Sequence, residues 1–433
     1  MIIVGGGFAG LETAKGLAGV NAEVVLLDRK NHHVFQPLLY QVATASLSPE
    51  SISAPIRSVL GEQSECQVAL SDVVGVDVAR KRVELETGSV PYDYLVLAVG
   101  ARHDYFGNDD WESIAPGLKT IEDATEIRRR MLLAFESAEH EADDEARRGA
   151  LTFAVVGGGP TGVELAGAIK AIASRTLPKE YRNIDTATAR VLLFEGGPRL
   201  LPSFPEALSA RAAADLERLG VEVRVDTFVT ELDAHGVCVK GDYIAAQNVF
   251  WAAGVKASPL LGCLGAETDR AGRVIVNRDL SVPGQPEVFV LGDAASFTPD
   301  GQDSALPGVA QVAMQMGRYA AGVMREEIDR GSSRARSKPF VYKDKGSMAI
   351  IGKNKAVASV GRYKIAGFFA WILWAGVHIA FLVTFHNRLQ VLLSWAWSWL
   401  LDRHDARLIV GESRLRIRKA QGAGFEPAAS VEG

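Results

Sequence analysis

A glycine-rich turn occurs twice in this chain, and no other feature limits its fold as tightly. The first copy is Gly5-Gly6-Gly7-Phe8-Ala9-Gly10, followed by Leu11-Glu12-Thr13-Ala14. The second is Gly157-Gly158-Gly159-Pro160-Thr161-Gly162, followed by Val163-Glu164-Leu165-Ala166. Each copy follows an apolar run, 2–4 or 153–156, that reads as a buried strand, and each opens a helix. Strand, turn and helix in that order cradle a pyrophosphate. The glycines allow a tight turn and close approach of backbone to phosphate, while the helix N-terminus faces the negative charge. A single such turn also serves plain helix-strand packing, so its surroundings decide. Here Val24-Val25-Leu26-Leu27-Asp28 predicts a strand ending in a carboxylate 18 residues beyond Gly10, near the spacing of a ribose-hydroxyl acceptor. Val191-Leu192-Leu193-Phe194-Glu195 repeats the pattern 33 residues beyond Gly162, so the region 176–189 carries an insertion. Two turns with two acidic strand ends predict a chain built to hold two dinucleotides.

At 433 residues the chain has room for two to three domains. A net charge of -5, from 47 basic and 52 acidic residues, gives no electrostatic footprint for nucleic acid. Cys66, Cys238 and Cys263 are widely separated and form no CxxC pair, so neither a disulfide framework nor a dithiol centre is expected. No metal-ligand motif is present, and none is assigned. Met1 leads straight into the first strand, which leaves no room for a cleaved signal peptide and makes a bacterial-type cytoplasmic chain the simplest expectation.

The fold class follows as α/β, with two Rossmann-like units. The first occupies 1–112, with strands near 68–78 and 82–85 and an apolar strand at 92–100 closed by Gly100. Charged helical sequence at 125–148 leads into the second unit, 113–254, which ends in Val249-Phe250-Trp251-Ala252-Ala253-Gly254. The two strand endings, Ala98-Val99-Gly100 and Ala252-Ala253-Gly254, mirror each other, so the second unit is read as inserted into the first. The first unit resumes over 255–330 with Val288-Phe289-Val290-Leu291-Gly292-Asp293. This strand presents Asp293 at its C-terminal end, where open α/β sheets place ligands; a helix N-cap is the other reading of that carboxylate. Composition then changes. Residues 365–385 carry no charge apart from His378, and 389–401 form a second apolar run with three tryptophans. The first run is long enough to span a bilayer and the second is not, so 331–410 is read as a membrane-anchoring region. The tail 411–433 carries Arg414, Arg416, Arg418 and Lys419, a basic cluster suited to anionic lipid.

With these features together, the chain resembles the type II NADH:quinone oxidoreductases, flavoproteins with two dinucleotide-binding domains. The resemblance runs from Ile2 to about Leu401. It is carried by Phe35-Gln36-Pro37-Leu38-Leu39-Tyr40-Gln41-Val42-Ala43, Trp251-Ala252-Ala253-Gly254-Val255, Ala310-Gln311-Val312-Ala313-Met314-Gln315 and Asp344-Lys345-Gly346-Ser347-Met348. Met316 stands where the family often has another glutamine. The resemblance implies FAD in the first unit, with Gly5, Gly7 and Gly10 at the phosphates, Asp28 on the adenosine ribose, and Gly292, Asp293, Ala310 and Gln311 toward the flavin. It implies NADH in the second, held by Gly157, Gly159, Gly162, Glu195 and Gly254. Glu195 would repel the extra phosphate of NADPH, so NADH is the expected donor. Gln311, Gln315 and Lys345 are the implied quinone-side residues, and Glu164 is the implied catalytic residue beside the nicotinamide and flavin. Glu12 fills the matching slot in the first turn, where a helix-dipole role suffices. His32 and His33 receive no catalytic role.

The implied activity is hydride transfer from NADH to FAD, then two electrons to a membrane quinone, without proton pumping. The implied setting is peripheral, on the cytoplasmic face of the inner membrane, with a homodimer left open. Two other functions stay in view: a flavin reductase for a soluble electron carrier, and a membrane-bound redox sensor that binds both nucleotides without turnover.

Overall fold

The computed structural model describes residues 1–331, 336, 338–401 and 406–410. Its first sheet has six strands in the order Ser281–Val282, Gln285–Val290, Leu95–Leu97, Ile2–Val4, Val24–Asp28, Cys66–Leu70. All neighbours are parallel except the edge hairpin of the first two strands. Ile3, Leu26, Leu95, Leu97 and Phe289 are fully buried, as near-continuous apolar strands become when helices cover both faces. Residues 2–4 and 285–290 thus share one sheet, although the whole second unit lies between them in sequence.

That second unit is a parallel sheet in the order Val221–Arg224, Arg190–Phe194, Thr152–Val156, Asn248–Trp251. An antiparallel pair, Ala101–His103 with Val255–Ala257, carries the chain out of the first unit and back beside itself. The expected insertion is a series of short turns after the helix Pro160–Ala171: a π turn at Ile172–Thr176 and 3-10 turns at Leu177–Lys179 and Thr186–Thr188. Lys170 Nζ secures it by donating to Ala187 O at 2.9 Å and Ala189 O at 2.8 Å.

Three boundaries differ from the sequence reading. The strand expected over 68–78 is two strands, Cys66–Leu70 and Val73–Asp77, because the two pair with different neighbours: the first lies parallel to Val24–Asp28 and the second antiparallel to Arg82–Leu85. The charged helix over 125–148 is two helices, Ile121–His140 and Asp144–Ala150. Thr120 and Asp123 form a reciprocal cap on the first, and the side chain of Asp143 caps the second. The apolar run 365–385 is interrupted at Gly367, whose φ of 79° turns the strand Tyr363–Ala366 into the helix Phe368–Phe381.

The C-terminal region is a three-stranded antiparallel sheet, Ser347–Gly352, Lys355–Val360 and Tyr363–Ala366, followed by the helices Phe368–Phe381 and Phe385–Leu401. One face of each helix belongs to the protein core, with Ala370, Trp374 and Val391 buried. Buried Asn387 docks the second helix on the first unit by donating to Glu50 O at 2.8 Å and Ser51 O at 2.9 Å. The other face is open: Phe369 is 76 % exposed, Phe385 78 % and Leu400 69 %. A 14-residue helix such as Phe368–Phe381 rises about 21 Å, against about 30 Å of bilayer hydrocarbon. Among the described residues no helix is long and apolar enough to cross a membrane. The tail 411–433 lies outside the described residues.

Candidate functional site

The two glycine turns have the same geometry, built from different sequence. A Cβ on Gly5 would lie 2.4 Å from Ala98 O, and one on Gly157 would lie 2.5 Å from Ala252 O. A Cβ on Gly10 or Gly162 would lie 1.8 Å from the carbonyl oxygen of Gly5 or Gly157. Helix and strand therefore approach at a distance that no side chain permits. At Gly7 and Gly159, by contrast, a Cβ would meet nothing within 4 Å, so the backbone there fronts open space beside a helix N-terminus. Close packing behind and open room in front suit a pyrophosphate at both turns.

Each strand-end acid is held by its own turn. Asp28 Oδ2 accepts from Gly6 N at 2.5 Å and Oδ1 from Lys30 N at 2.7 Å. Glu195 Oε2 accepts from Gly158 N at 2.6 Å and Oε1 from Gly197 N at 2.7 Å. These bonds fix each carboxylate at the end of its strand, beside the glycine turn. Arg199, the arginine nearest in sequence to Glu195, donates to Phe204 O, Ser209 Oγ and Pro202 O, each at 2.7 Å. Its cation serves its own loop and supplies no clamp for a further phosphate.

After the strand Gln285–Val290, Gly292 takes φ 67° and places Asp293 against Gly308, where a Cβ would come within 3.0 Å of the carboxyl carbon. Lys119 Nζ stands 3.7 Å from Asp293 Oδ2. The helix Ala310–Arg330 starts from the Val309 cap, and Ala313 packs toward Gly292, so Gly292, Asp293 and Ala310 gather around one helix N-terminus. Gly254, at φ 55°, closes the second unit with the Phe106 ring beside it.

Gln311 and Gln315 lie four residues apart on that helix, and both amides face a backbone segment. Gln315 donates to Lys343 O at 3.0 Å and accepts from Lys343 N at 3.0 Å. Gln311 donates to Gly346 O at 2.9 Å and accepts from Lys345 N at 3.2 Å. The pair pins residues 343–346 across the helix, and Lys345 Nζ sits 5.5 Å from the centre of the Phe381 ring. Sequence spacing placed both glutamines on one face but gave no sign of this strap.

Glu164 and Glu12 occupy equivalent slots and have different surroundings. Glu12 pairs with Arg318 Nε at 2.5 Å and with Lys15 Nζ at 3.9 Å. The Glu164 carboxyl is turned inward and accepts from Ile350 N at 3.3 Å, and burial raises its pKa to about 8. Tyr40 is also pushed well above the usual phenol range, chiefly by burial and further by the charge of Glu164. Tyr40 Oη accepts from Gln41 Nε2 at 2.7 Å, and Gln41 Oε1 accepts from Trp395 Nε1 at 2.7 Å. Tyr40 and Gln41 are adjacent in a sequence motif, but their tie to a tryptophan 354 positions away is made only by tertiary packing.

Between the ordinary value of 4.5 and about 8 the folded chain binds more protons at Glu164 than the unfolded chain, so its contribution to stability is complete below 4.5 and is lost as pH rises through 8. The melting temperature is therefore expected to fall with pH across that window relative to a Glu164→Gln variant. Parallel melting profiles for the two proteins would overturn the neutral assignment.

Paired nucleotide turns, one sheet nested in another and an acid at each second strand define a two-dinucleotide oxidoreductase fold. Residues 1–317 match the family described as pyridine nucleotide-disulphide oxidoreductase, and 345–404 match the NDH2 C-terminal domain. The chain belongs to the type II NADH:quinone oxidoreductases. It is 43% identical to the type II NADH:quinone oxidoreductase Ndh of Mycobacterium tuberculosis, covering 100% of this chain and 95% of the relative. It is 42% identical to NdhA of the same organism, covering 92% and 87%. In fold it is similar to NDH2 of Plasmodium falciparum solved in complex with NADH, with a TM-score of 0.86, 21% identity and coverage of 95% and 99%.

Proposed function

We propose that this chain oxidises NADH and reduces a membrane quinone, so that NADH, a proton and quinone give NAD⁺ and quinol. The observation that carries the reading is the pair of matched clefts, each with a tight glycine turn, open space before it and a pinned ribose-side carboxylate. Gly5, Gly7, Gly10 and Asp28 would hold the ADP part of FAD, with Gly292, Asp293, Ala310 and Gln311 toward the ring. FAD bound there supplies hydride acceptance and electron transfer. Gly157, Gly159, Gly162 and Gly254 would line the NADH path, and Glu195 would accept from its ribose hydroxyls while repelling a 2′-phosphate. Glu164 holds its proton up to about pH 8 and so adds no negative charge where the nicotinamide arrives. The helix N-terminus at Ala310 favours negative charge near it. Gln311, Gln315 and Lys345 form the acceptor face, next to the terminal helices.

The domains divide in this reading as 1–112 with 255–330 for FAD, 113–254 for NADH and 331–410 for the membrane surface. The outward faces of both terminal helices, with Phe369, Phe385 and Leu400 bare, fit a lipid bilayer better than a soluble carrier. The catalytic units lie on the cytoplasmic face. Self-association is compatible with this reading and is not required by it.

Anaerobic bleaching of the flavin by NADH, then reoxidation by a quinone analogue, tests both halves. No bleaching by NADH, or no return of colour with any quinone, would refute the assignment. Gln311→Ala and Gln315→Ala are expected to leave bleaching nearly intact and slow reoxidation. Each lost hydrogen bond costs about 0.5 to 1.5 kcal/mol, hence a few-fold to about tenfold. If bleaching alone suffers, the two glutamines do not belong to the acceptor side.

A further inference from the structure

Phe228 is 70 % exposed, the most exposed aromatic among the described residues outside the helices Phe368–Phe381 and Phe385–Leu401. Single exposed apolar residues are common on protein surfaces, so exposure alone says little. Its position says more. The loop 225–228 is laced to the turn after the ribose-side acid: Thr227 N donates to Glu195 O and Asp226 N to Gly197 O, both at 2.9 Å. The Phe228 ring lies directly against Gly196, where an added Cβ would stand 2.4 Å from the ring's Cε1. Any other residue at 196 would push the ring away.

The first cleft repeats the arrangement with different residues. There Ser71 N donates to Asp28 O at 2.9 Å, and the neighbouring Leu70 is 65 % exposed. In both clefts a large bare apolar side chain lies one residue from the amide that bonds the strand-end acid's carbonyl; in the first that bond is the last rung between Val24–Asp28 and Cys66–Leu70. A base joined to a ribose held by that acid reaches only a few ångströms further. It carries a π face that needs an apolar or aromatic surface, and it gains little from a charged one.

We propose that Phe228 is the platform on which the adenine of NADH stacks, with Gly196 as the gap that admits the ring. This rests on the reading of the second cleft as the NADH site. Phe228 then secures the end of the nucleotide remote from the chemistry and contributes affinity without touching the nicotinamide.

The test compares NADH with reduced nicotinamide mononucleotide, which has the same reacting ring and lacks the adenosine. In anaerobic stopped-flow bleaching of the FAD-loaded protein, Phe228→Ala is expected to weaken apparent NADH binding about tenfold, the scale of one lost base-aromatic stack, with the limiting rate unchanged. The same variant is expected to handle the mononucleotide as the wild type does, and Phe228→Tyr to restore NADH binding. Unchanged NADH binding in Phe228→Ala would overturn the platform. Equal loss with both donors would also overturn it, since the ring would then serve only the fold. A wild type bleached by neither donor would instead sink the underlying NADH assignment, a different failure.

Discussion

A Gly162→Ala chain is expected to purify yellow and to stay yellow when NADH is added without air, whereas Gly10→Ala is expected to purify colourless. The two substitutions add the same methyl group at equivalent places, 1.8 Å from the carbonyl oxygen of Gly157 or Gly5. A contact that short forces helix and strand apart and moves the helix N-terminus from the phosphates. Displacement of about 1 Å at such a positioning element costs on the order of a hundredfold in rate, and overpacking costs about 1 to 3 kcal/mol of stability. The consequences separate because the turns serve different sheets. The Gly162 turn lies in the sheet of Thr152–Val156, and the Gly10 turn in the sheet of Ile2–Val4. Flavin content by absorbance and bleaching by stopped-flow decide the matter. Flavin lost from Gly162→Ala, with Gly10→Ala still yellow, would show the two nucleotides assigned to the wrong clefts.

The parts legible in the sequence were those that a local pattern specifies. A glycine turn between a strand and a helix has few structural solutions, and an acid at the end of the next strand completes it, so Gly5 to Asp28 and Gly157 to Glu195 could be read without a structure. What stayed hidden depends on residues far apart in the chain. Glu12 and Glu164 look alike in sequence. They differ because Arg318, 306 positions away, reaches Glu12, while among the described residues it is the backbone amide of Ile350, and no cation, that meets the part-buried Glu164. Gln311 and Gln315 share a helix face by spacing alone, yet the partner of that face, residues 343–346, is set by tertiary packing. The apolar runs near the C-terminus illustrate the same limit. Hydropathy recorded their length and could not show that Ala370, Trp374 and Val391 point into the protein.

That division of faces determines how membrane attachment is best tested. Deleting everything from Ile365 would remove the exposed apolar side chains together with buried Trp374 and Asn387, so lost function would not distinguish release from unfolding. Replacing Phe369, Phe385 and Leu400 by glutamate alters only side chains that are 76 %, 78 % and 69 % exposed. Burying each such group in an apolar phase is worth about 1.5 to 3 kcal/mol, so the triple variant is expected to bind membranes at least about a thousandfold more weakly. It is expected in the soluble fraction, yellow, bleached by NADH at the wild-type rate and active with a short-chain quinone. Turnover with a long-chain quinone embedded in vesicles is expected to be lost, because that substrate stays in the bilayer the enzyme has left. Cosedimentation with vesicles and the two quinone assays read these outcomes directly. A triple variant that still sediments would place the anchor elsewhere, with the basic residues Arg414, Arg416, Arg418 and Lys419 the next to be replaced.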